Sequence, residues 1–336
     1  MILKKMNFIE KLTKISLVFF LLSTSLLANE DNFESWLVNF KKIAIQKGIS
    51  QKTVNYILKD VKFIDKVIVY DNRQPEFFQK TKVYISKRST NKAVKIAKAK
   101  YLINKEIFTK VEKDFKVEKE LLLALWSIET NFGNYFGKMD IVSSLATLSY
   151  DKRRSKFFTE ELLILLKLVD KKILTKEMLY GSWAGAIGNF QFMPSTVLNY
   201  GIDYDNDGKI DLKKSLPDSI ASAANYMNKV GWKHKDFCFQ RVNFTKAVDK
   251  KYFNHSARNI KNKKNSSYWN KIGIIDYSTK KKIILNNKTS LVLPDGDTNS
   301  PRYLTSDNYE KILKWNRSLR FALSVCTLKN MIKNEL

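Results

Sequence analysis

The sequence predicts a mainly α protein with a small β-containing lobe in its C-terminal half. Three observations predict it. Before His234, apolar residues recur every three to four positions, the spacing that lines one face of a helix. Proline is rare, with 5 in 336 residues, while hydrophobic residues make up 44 %, which suits helices around a sizeable core. From His234 the composition turns to Lys, Asn and Ser, and short β-prone runs between turn residues replace the helical spacing.

The chain opens with Lys4, Lys5, Lys11 and Lys14, then an apolar run from Ile15 to Leu27 broken only by serines and Thr24, then Ala28 and a polar stretch. This is the order of a secretory signal peptide, predicted to cover residues 1–28. The run is short for a membrane span, and no cysteine near Ala28 can carry a lipoprotein anchor. A soluble periplasmic chain is expected; an uncleaved anchor is the alternative, because Leu26 is larger than the usual residue at its place.

An N-terminal helical region follows over 29–115. Phe33, Trp36, Leu37, Phe40, Ile43 and Ala44, then Val54, Ile57 and Leu58, mark amphipathic helices. Arg73-Gln74-Pro75-Glu76-Phe77 breaks the pattern, and 92–116 reads as one long basic helix. In the predicted core, 116–235, the stretch 118–130 is apolar almost all round and so reads as buried, with Gly133 and Gly137 to end it. Helices are expected over 157–169, from Pro194 onward and over 220–230. The mixed lobe, 236–308, carries β-prone Ile272-Gly273-Ile274-Ile275, Lys282-Ile283-Ile284-Leu285 and Ser290-Leu291-Val292-Leu293, the last before a Pro294-Asp295-Gly296 turn. The tail, 309–336, regains helical spacing and is expected to pack back on the body. Cys238 and Cys326 allow one disulfide or two buried thiols.

Lys and Arg number 60 against 33 Asp and Glu, a formal charge of +27, and loss of residues 1–28 leaves the chain strongly basic. A polyanionic partner is implied. Export and the absence of a nucleic-acid motif argue against nucleic acid, whereas the lactyl and peptide carboxylates of peptidoglycan fit both charge and address. A lysine-rich proteome is the bland alternative. His234 and His255 are too isolated for a zinc site.

Chemistry concentrates at Glu129, at the end of the apolar helix, and at the small-residue loop from Gly181 to Pro194. A carboxyl against apolar walls is poorly solvated when charged and can serve as a general acid. Glycosidic cleavage needs that proton and a stabiliser for the oxocarbenium-like centre. If the sugar carries a 2-acetamido group, its own carbonyl oxygen supplies the second, and no partner carboxylate is needed. Around Glu129 the sequence offers Ser182, Asn189 and Gln191 rather than a second acid.

At these residues the sequence resembles the lytic murein transglycosylase B family, glycoside hydrolase family 103. The matching pieces run in order: Arg73-Gln74-Pro75-Glu76-Phe77, Ile128-Glu129-Thr130-Asn131-Phe132-Gly133, Leu145-Ala146-Thr147-Leu148-Ser149-Tyr150 with Arg153-Arg154, Ala184-Gly185-Ala186, Gln191-Phe192-Met193-Pro194-Ser195, the acidic loop from Asp203, Ala223-Ala224-Asn225-Tyr226 before Gly231-Trp232, and Trp315-Asn316-Arg317-Ser318. The resemblance implies a lysozyme-like helical catalytic domain. It also implies cleavage of the β-1,4 bond between N-acetylmuramic acid and N-acetylglucosamine with a 1,6-anhydromuramyl product. By position, Glu129 resembles the acid that then turns base. Ser182 and Gln191 match residues holding acid or sugar, Arg153 and Arg154 a pair facing anionic groups, Tyr84 and Tyr226 cleft aromatics, and Trp315 and Asn316 further substrate contacts.

The loop Asp203-Tyr204-Asp205-Asn206-Asp207-Gly208-Lys209-Ile210-Asp211 follows EF-hand spacing, with Lys209 at the main-chain carbonyl position. Position twelve of loop 203–214 is Lys214 instead of the usual bidentate acid, and Asp218 stands just beyond. A structural calcium on Asp203, Asp205, Asp207, Lys209 and Asp211 is expected, against a plain turn; the chemistry itself needs no cofactor. The expected state is a monomer that acts on peptidoglycan and can join cell-wall synthesis or remodelling complexes. The competing readings are a hydrolytic muramidase and a silent wall-binding scaffold.

Overall fold

The computed structural model describes residues 32–73 and 78–336. The predicted signal peptide and the 74–77 part of the Arg73 motif lie outside the described residues. No helix among the described residues is long and apolar enough to cross a membrane.

The body is built around the helix Lys119–Thr130. Leu121 to Leu125 are wholly buried, because this stretch is apolar on every side and only a central position covers every side. Leu319–Glu335, Asn91–Ile103, Lys105–Phe115 and Leu216–Lys229 pack around it. The helix stops earlier than its glycines suggest. Asn131 takes the left-handed conformation at φ 50° and its N–H bonds to Ser127, so the turn is complete before Gly133.

Two helices expected as single are broken. The basic stretch 92–116 divides into Asn91–Ile103 and Lys105–Phe115 at Asn104, whose side-chain amide donates to the Lys100 carbonyl at 2.9 Å. That bond satisfies an end-of-helix acceptor and lets the chain turn. The tail divides into Asp307–Trp315 and Leu319–Glu335 around 316–318, with Ser318 capping the second helix by accepting from the Phe321 N–H. Helices Ser155–Asp170, Pro194–Tyr200 and Leu216–Lys229 lie where the spacing predicts them, and Pro194 occupies a first-turn position.

The lobe holds a four-stranded antiparallel sheet in the order Ile274–Asp276, Phe239–Phe244, Arg302–Thr305, Ser290–Val292. Val242, Trp269, Ile274, Ile283, Leu291, Leu293 and Leu304 form its own core. The run 282–285 is no strand. The N–H groups of Ile283 and Leu285 donate to side chains, Asn270 Oδ1 and Ser266 Oγ, which removes the donors a ladder would use. Phe239–Phe244 went unread because only Val242 within it is buried and it shows no alternation. Cys238 and Cys326 form a disulfide that ties the start of the lobe to the last helix. Beside it, Lys329 of that helix reaches Glu118 at 3.2 Å.

Candidate active site

Glu129 sits in the last turn of the central helix and lines a cavity of ≈ 900 Å³. It is lined by Gly181, Ser182, Trp183 and Ala184 of the small-residue loop with Gln191 and Met193, and by Tyr70, Arg73, Arg154 and Phe157. Tyr135, Lys138 and Met139 form the lip. The short strands Met139–Asp140 and Tyr180–Gly181 pair antiparallel and hold lip and loop together. Their approach requires glycine at 137, since a Cβ there would lie 2.1 Å from the Gly181 carbonyl oxygen. Among the described residues, Glu129 is the one carboxylate lining this cavity.

The small-residue loop is fastened by its own polar groups. Ser182 Oγ accepts from the Ala186 N–H at 2.8 Å and the Ala184 N–H at 3.3 Å, closing a tight turn at the cavity edge. Asn189 is buried beneath it. Its Oδ1 accepts from Trp126 Nε1 at 2.8 Å, while its Nδ2 donates to the carbonyls of Leu212 and Lys213 and to Ser219. Thr130 Oγ1 donates to the Asn189 carbonyl at 2.8 Å, so the loop is pinned to the turn that carries Glu129. Asn189, read from sequence as part of the polar surroundings of Glu129, is therefore a strut. Gln191 takes φ 50°, a strained conformation for a residue with a Cβ. Its amide donates to the Gly188 carbonyl at 3.1 Å, and the backbone pair of Ile187 and Phe192 closes the bend around it.

Trp315 completes the site from the tail. Its indole N–H donates to Glu129 Oε1 at 2.8 Å. The ring is edge-packed by Tyr226 at 5.0 Å and Phe192 at 5.3 Å.

The other residues expected at the substrate are distributed differently. Arg154 lines the cavity, but Arg153 does not; both guanidiniums pair with the buried carboxylate of Asp71. Arg153 also donates to the Asp71 carbonyl at 2.7 Å, which makes it an anchor of the helix Asp65–Asn72. Tyr84 is buried under Arg88 and is no cleft aromatic. Tyr226 is buried too: its hydroxyl donates to the Lys314 carbonyl at 2.8 Å, and burial pushes that phenol up to about 12. It supports Trp315 from behind. Asn316 caps the helix Asp307–Trp315 through its backbone and does not line the cavity. Sequence reasoning missed Tyr70, Tyr135, Lys138, Phe157 and Trp183, which do line it, as does Arg73, singled out there only as the start of a family-like motif. Tyr70 and Trp183 meet at a tilt of 56° with ring centroids 6.4 Å apart. Trp183, a large ring inside a small-residue loop, was the one such signal the sequence offered.

Residues 32–330 match the family model of the transglycosylase SLT domain. The chain belongs to this family. SltB3 from Pseudomonas aeruginosa, solved in complex with NAG-NAM-pentapeptide, is similar at 30 % identity and a TM-score of 0.79, covering 90 % of this chain and 79 % of that one. The Escherichia coli lytic transglycosylase Slt35, solved in complex with calcium, is similar at 26 % identity and a TM-score of 0.75, with 89 % and 93 % covered. The membrane-bound lytic murein transglycosylase B of Escherichia coli (strain K12) is 29 % identical over 215 residues, 61 % of this chain and 58 % of that relative. The matched part thus spans little more than half of that relative's length. The SLT fold accounts for the lysozyme-like helical core expected from the sequence.

In this SLT domain the acidic loop is arranged differently from a plain EF-hand reading. Oxygens of Asp203, Asp205 and Asp218 lie within 4.8 Å of one another. Asp207 and Asp211 are not part of that cluster; Asp207 Oδ1 accepts from the Lys209 N–H at 2.8 Å and Asp211 Oδ1 from the N–H groups of Lys213 and Lys214, as Asp203 also accepts from the N–H groups of Asp207 and Gly208. Asp218, in the first turn of Leu216–Lys229, enters where Lys214 cannot. It is wholly buried, and its two oxygens accept from the N–H groups of Tyr204, Asp205 and Asp211. Burial pushes its carboxyl above the usual range, against the pull of those N–H groups.

Proposed function

We propose that this SLT-domain protein is an exported lytic transglycosylase that cleaves the β-1,4 bond between N-acetylmuramic acid and N-acetylglucosamine in peptidoglycan. The observation that carries the reading is Glu129, the one carboxylate among the described residues that lines a cavity of ≈ 900 Å³ walled by aromatic rings. Glu129 gives its proton to the leaving 4-oxygen as the bond to C1 breaks. The acetamido carbonyl oxygen of the same muramyl residue shields C1 in place of a second carboxylate. The Glu129 carboxylate then takes the proton of the 6-hydroxyl as that oxygen closes on C1, which restores the acid and consumes no water. Tyr70, Trp183 and Tyr135 offer faces for sugar rings, Ser182 and Gln191 edge the site with polar groups, and Arg73, Lys138 and Arg154 place positive charge beside the lactyl and peptide carboxylates.

Digestion of purified sacculi tests this. Soluble muropeptides ending in 1,6-anhydromuramic acid, lighter by one water than hydrolysis products and without a reducing end, are expected in mass spectra. Reducing muramic ends would make the protein a hydrolytic muramidase instead. Binding without any release would make it a scaffold.

The donor set of the acidic loop is all oxygen and fits calcium. Asp203 and Asp205, with the buried Asp218 as third carboxylate, would hold it, and the ion would stiffen the loop whose end anchors Asn189. A hundredfold excess of calcium over its Kd is expected to stabilise the fold by about 2.7 kcal/mol, read as a higher Tm. Asp203→Ala should lose that shift. An unchanged Tm in the wild type would reduce the loop to a turn.

A further inference from the structure

We propose that Trp315 is the positioning residue of the acid: its indole N–H fixes the Glu129 carboxyl so that Oε2 carries the transferred proton, and it stabilises the carboxylate left after transfer. The proposal rests on the acid role of Glu129. Three observations carry it. The indole N–H lies 2.8 Å from Glu129 Oε1. An indole nitrogen only donates, so it needs an acceptor at Oε1 whether the carboxyl is neutral or charged. The proton of the neutral acid therefore belongs on Oε2.

The ring cannot easily turn away. Phe190, Phe192 and Tyr226 meet it edge-on at 6.2, 5.3 and 5.0 Å, and the Tyr226 hydroxyl holds the Lys314 carbonyl beside it. Trp315 is also the last residue of its helix, and extended backbone at Asn316 leads the chain off immediately after it. The break in the tail is what lets this side chain face the end of the central helix.

Chemically, the bond is stronger in the charged state. When the leaving oxygen takes the proton from Oε2, Glu129 becomes a carboxylate, and the N–H to Oε1 becomes a charge-assisted hydrogen bond. When the 6-hydroxyl returns a proton, the bond relaxes to its ground-state strength. Stabilisation that grows along the reaction raises kcat more than it lowers KM. A sugar platform at the same position would do the reverse.

Trp315→Phe keeps the packed ring and deletes the donor. The expected result is a fall of about 10- to 100-fold in kcat, the size of one hydrogen bond to a charged group, with KM little changed. The alkaline limb of the kcat/KM profile, where the acid loses its proton, should move to higher pH because a donor favouring the charged form is gone. Among the described residues, Arg73, Arg154, Lys138, Tyr70 and Tyr135 share the cavity with Glu129 and Tyr226 stands behind the indole; the variant changes none of them and removes only the indole donor. A second readout does not depend on that variant folding. With 15N-indole labelling the 6 tryptophans give separate N–H signals, and the one with contacts to Tyr226 should titrate in the wild type and stop titrating in Glu129→Gln. Wild-type kcat with an unmoved limb in Trp315→Phe, or an indole signal indifferent to pH, overturns the proposal while leaving the transglycosylase reading intact. Near-normal activity of Glu129→Gln would instead remove that reading.

Discussion

Glu129→Gln is expected to release almost no anhydromuropeptide from sacculi. The substitution keeps the size of the side chain and an oxygen for the Trp315 N–H, but it removes the proton that the leaving oxygen needs. Loss of general acid catalysis alone should cost about 10²- to 10⁴-fold in rate, or roughly 3 to 5 kcal/mol of transition-state stabilisation. Binding of sacculi should survive, because Arg154 and the aromatic walls are untouched. Pull-down with insoluble sacculi and product mass spectrometry on the same preparation separate the two effects. A variant that neither binds nor cleaves would mean that Glu129 holds the sugar instead of serving as its acid.

The second large effect is on stability. Glu118, at the N-terminal end of the central helix, accepts from Trp232 Nε1 at 2.5 Å and the Lys235 N–H at 2.9 Å and pairs with Lys329 at 3.2 Å, both charges being almost fully buried. Burial pushes the Glu118 carboxyl up, but Lys329, the indole and the backbone N–H outweigh it and hold it below its ordinary 4.5. Glu118→Gln leaves the Lys329 ammonium buried without a counter-charge, which typically costs about 3–5 kcal/mol. That is a large share of the roughly 5–15 kcal/mol by which domains are stable. Glu118→Gln with Lys329→Met should recover much of the loss, since removing both charges also removes their desolvation cost. Denaturant unfolding of the two single variants and the double variant reads this directly, and simple additivity would show that the pair is not coupled. Because the native carboxyl is the more acidic one, its contribution is present above about pH 4.5 and is lost as pH falls through the lower native value.

Glu118 and Glu129 mark the two ends of one helix, and they show where sequence reading succeeds and where it stops. The helix itself, its burial and the glutamate that ends it at the cavity were legible, because an apolar stretch with no polar face has one stable place in a fold and the residues concerned are neighbours in sequence. The small-residue loop, the Pro194 helix and the Pro294-Asp295-Gly296 turn were legible for the same reason: each is set by local backbone preferences.

What surrounds that local chemistry came from distant segments. Trp315 reaches Glu129 from 186 positions away, and it does so only because the tail helix breaks at 316–318, a break that its apolar spacing does not reveal. Asp218 replaces Lys214 at the acidic loop because the next helix begins there and turns its first carboxylate inward. Arg153 and Arg154, read as facing substrate, are shared with Asp71, and that partner is 82 and 83 positions away. Tyr84 and Tyr226 face the core, because an aromatic ring in a helical pattern has the same periodicity whether it meets a sugar or another ring. Periodicity specifies which face of an element is apolar, and motifs specify which groups are at hand. Which group meets which depends on the angles at which packed helices cross and on where the chain turns between them, and those are decided by the whole core at once.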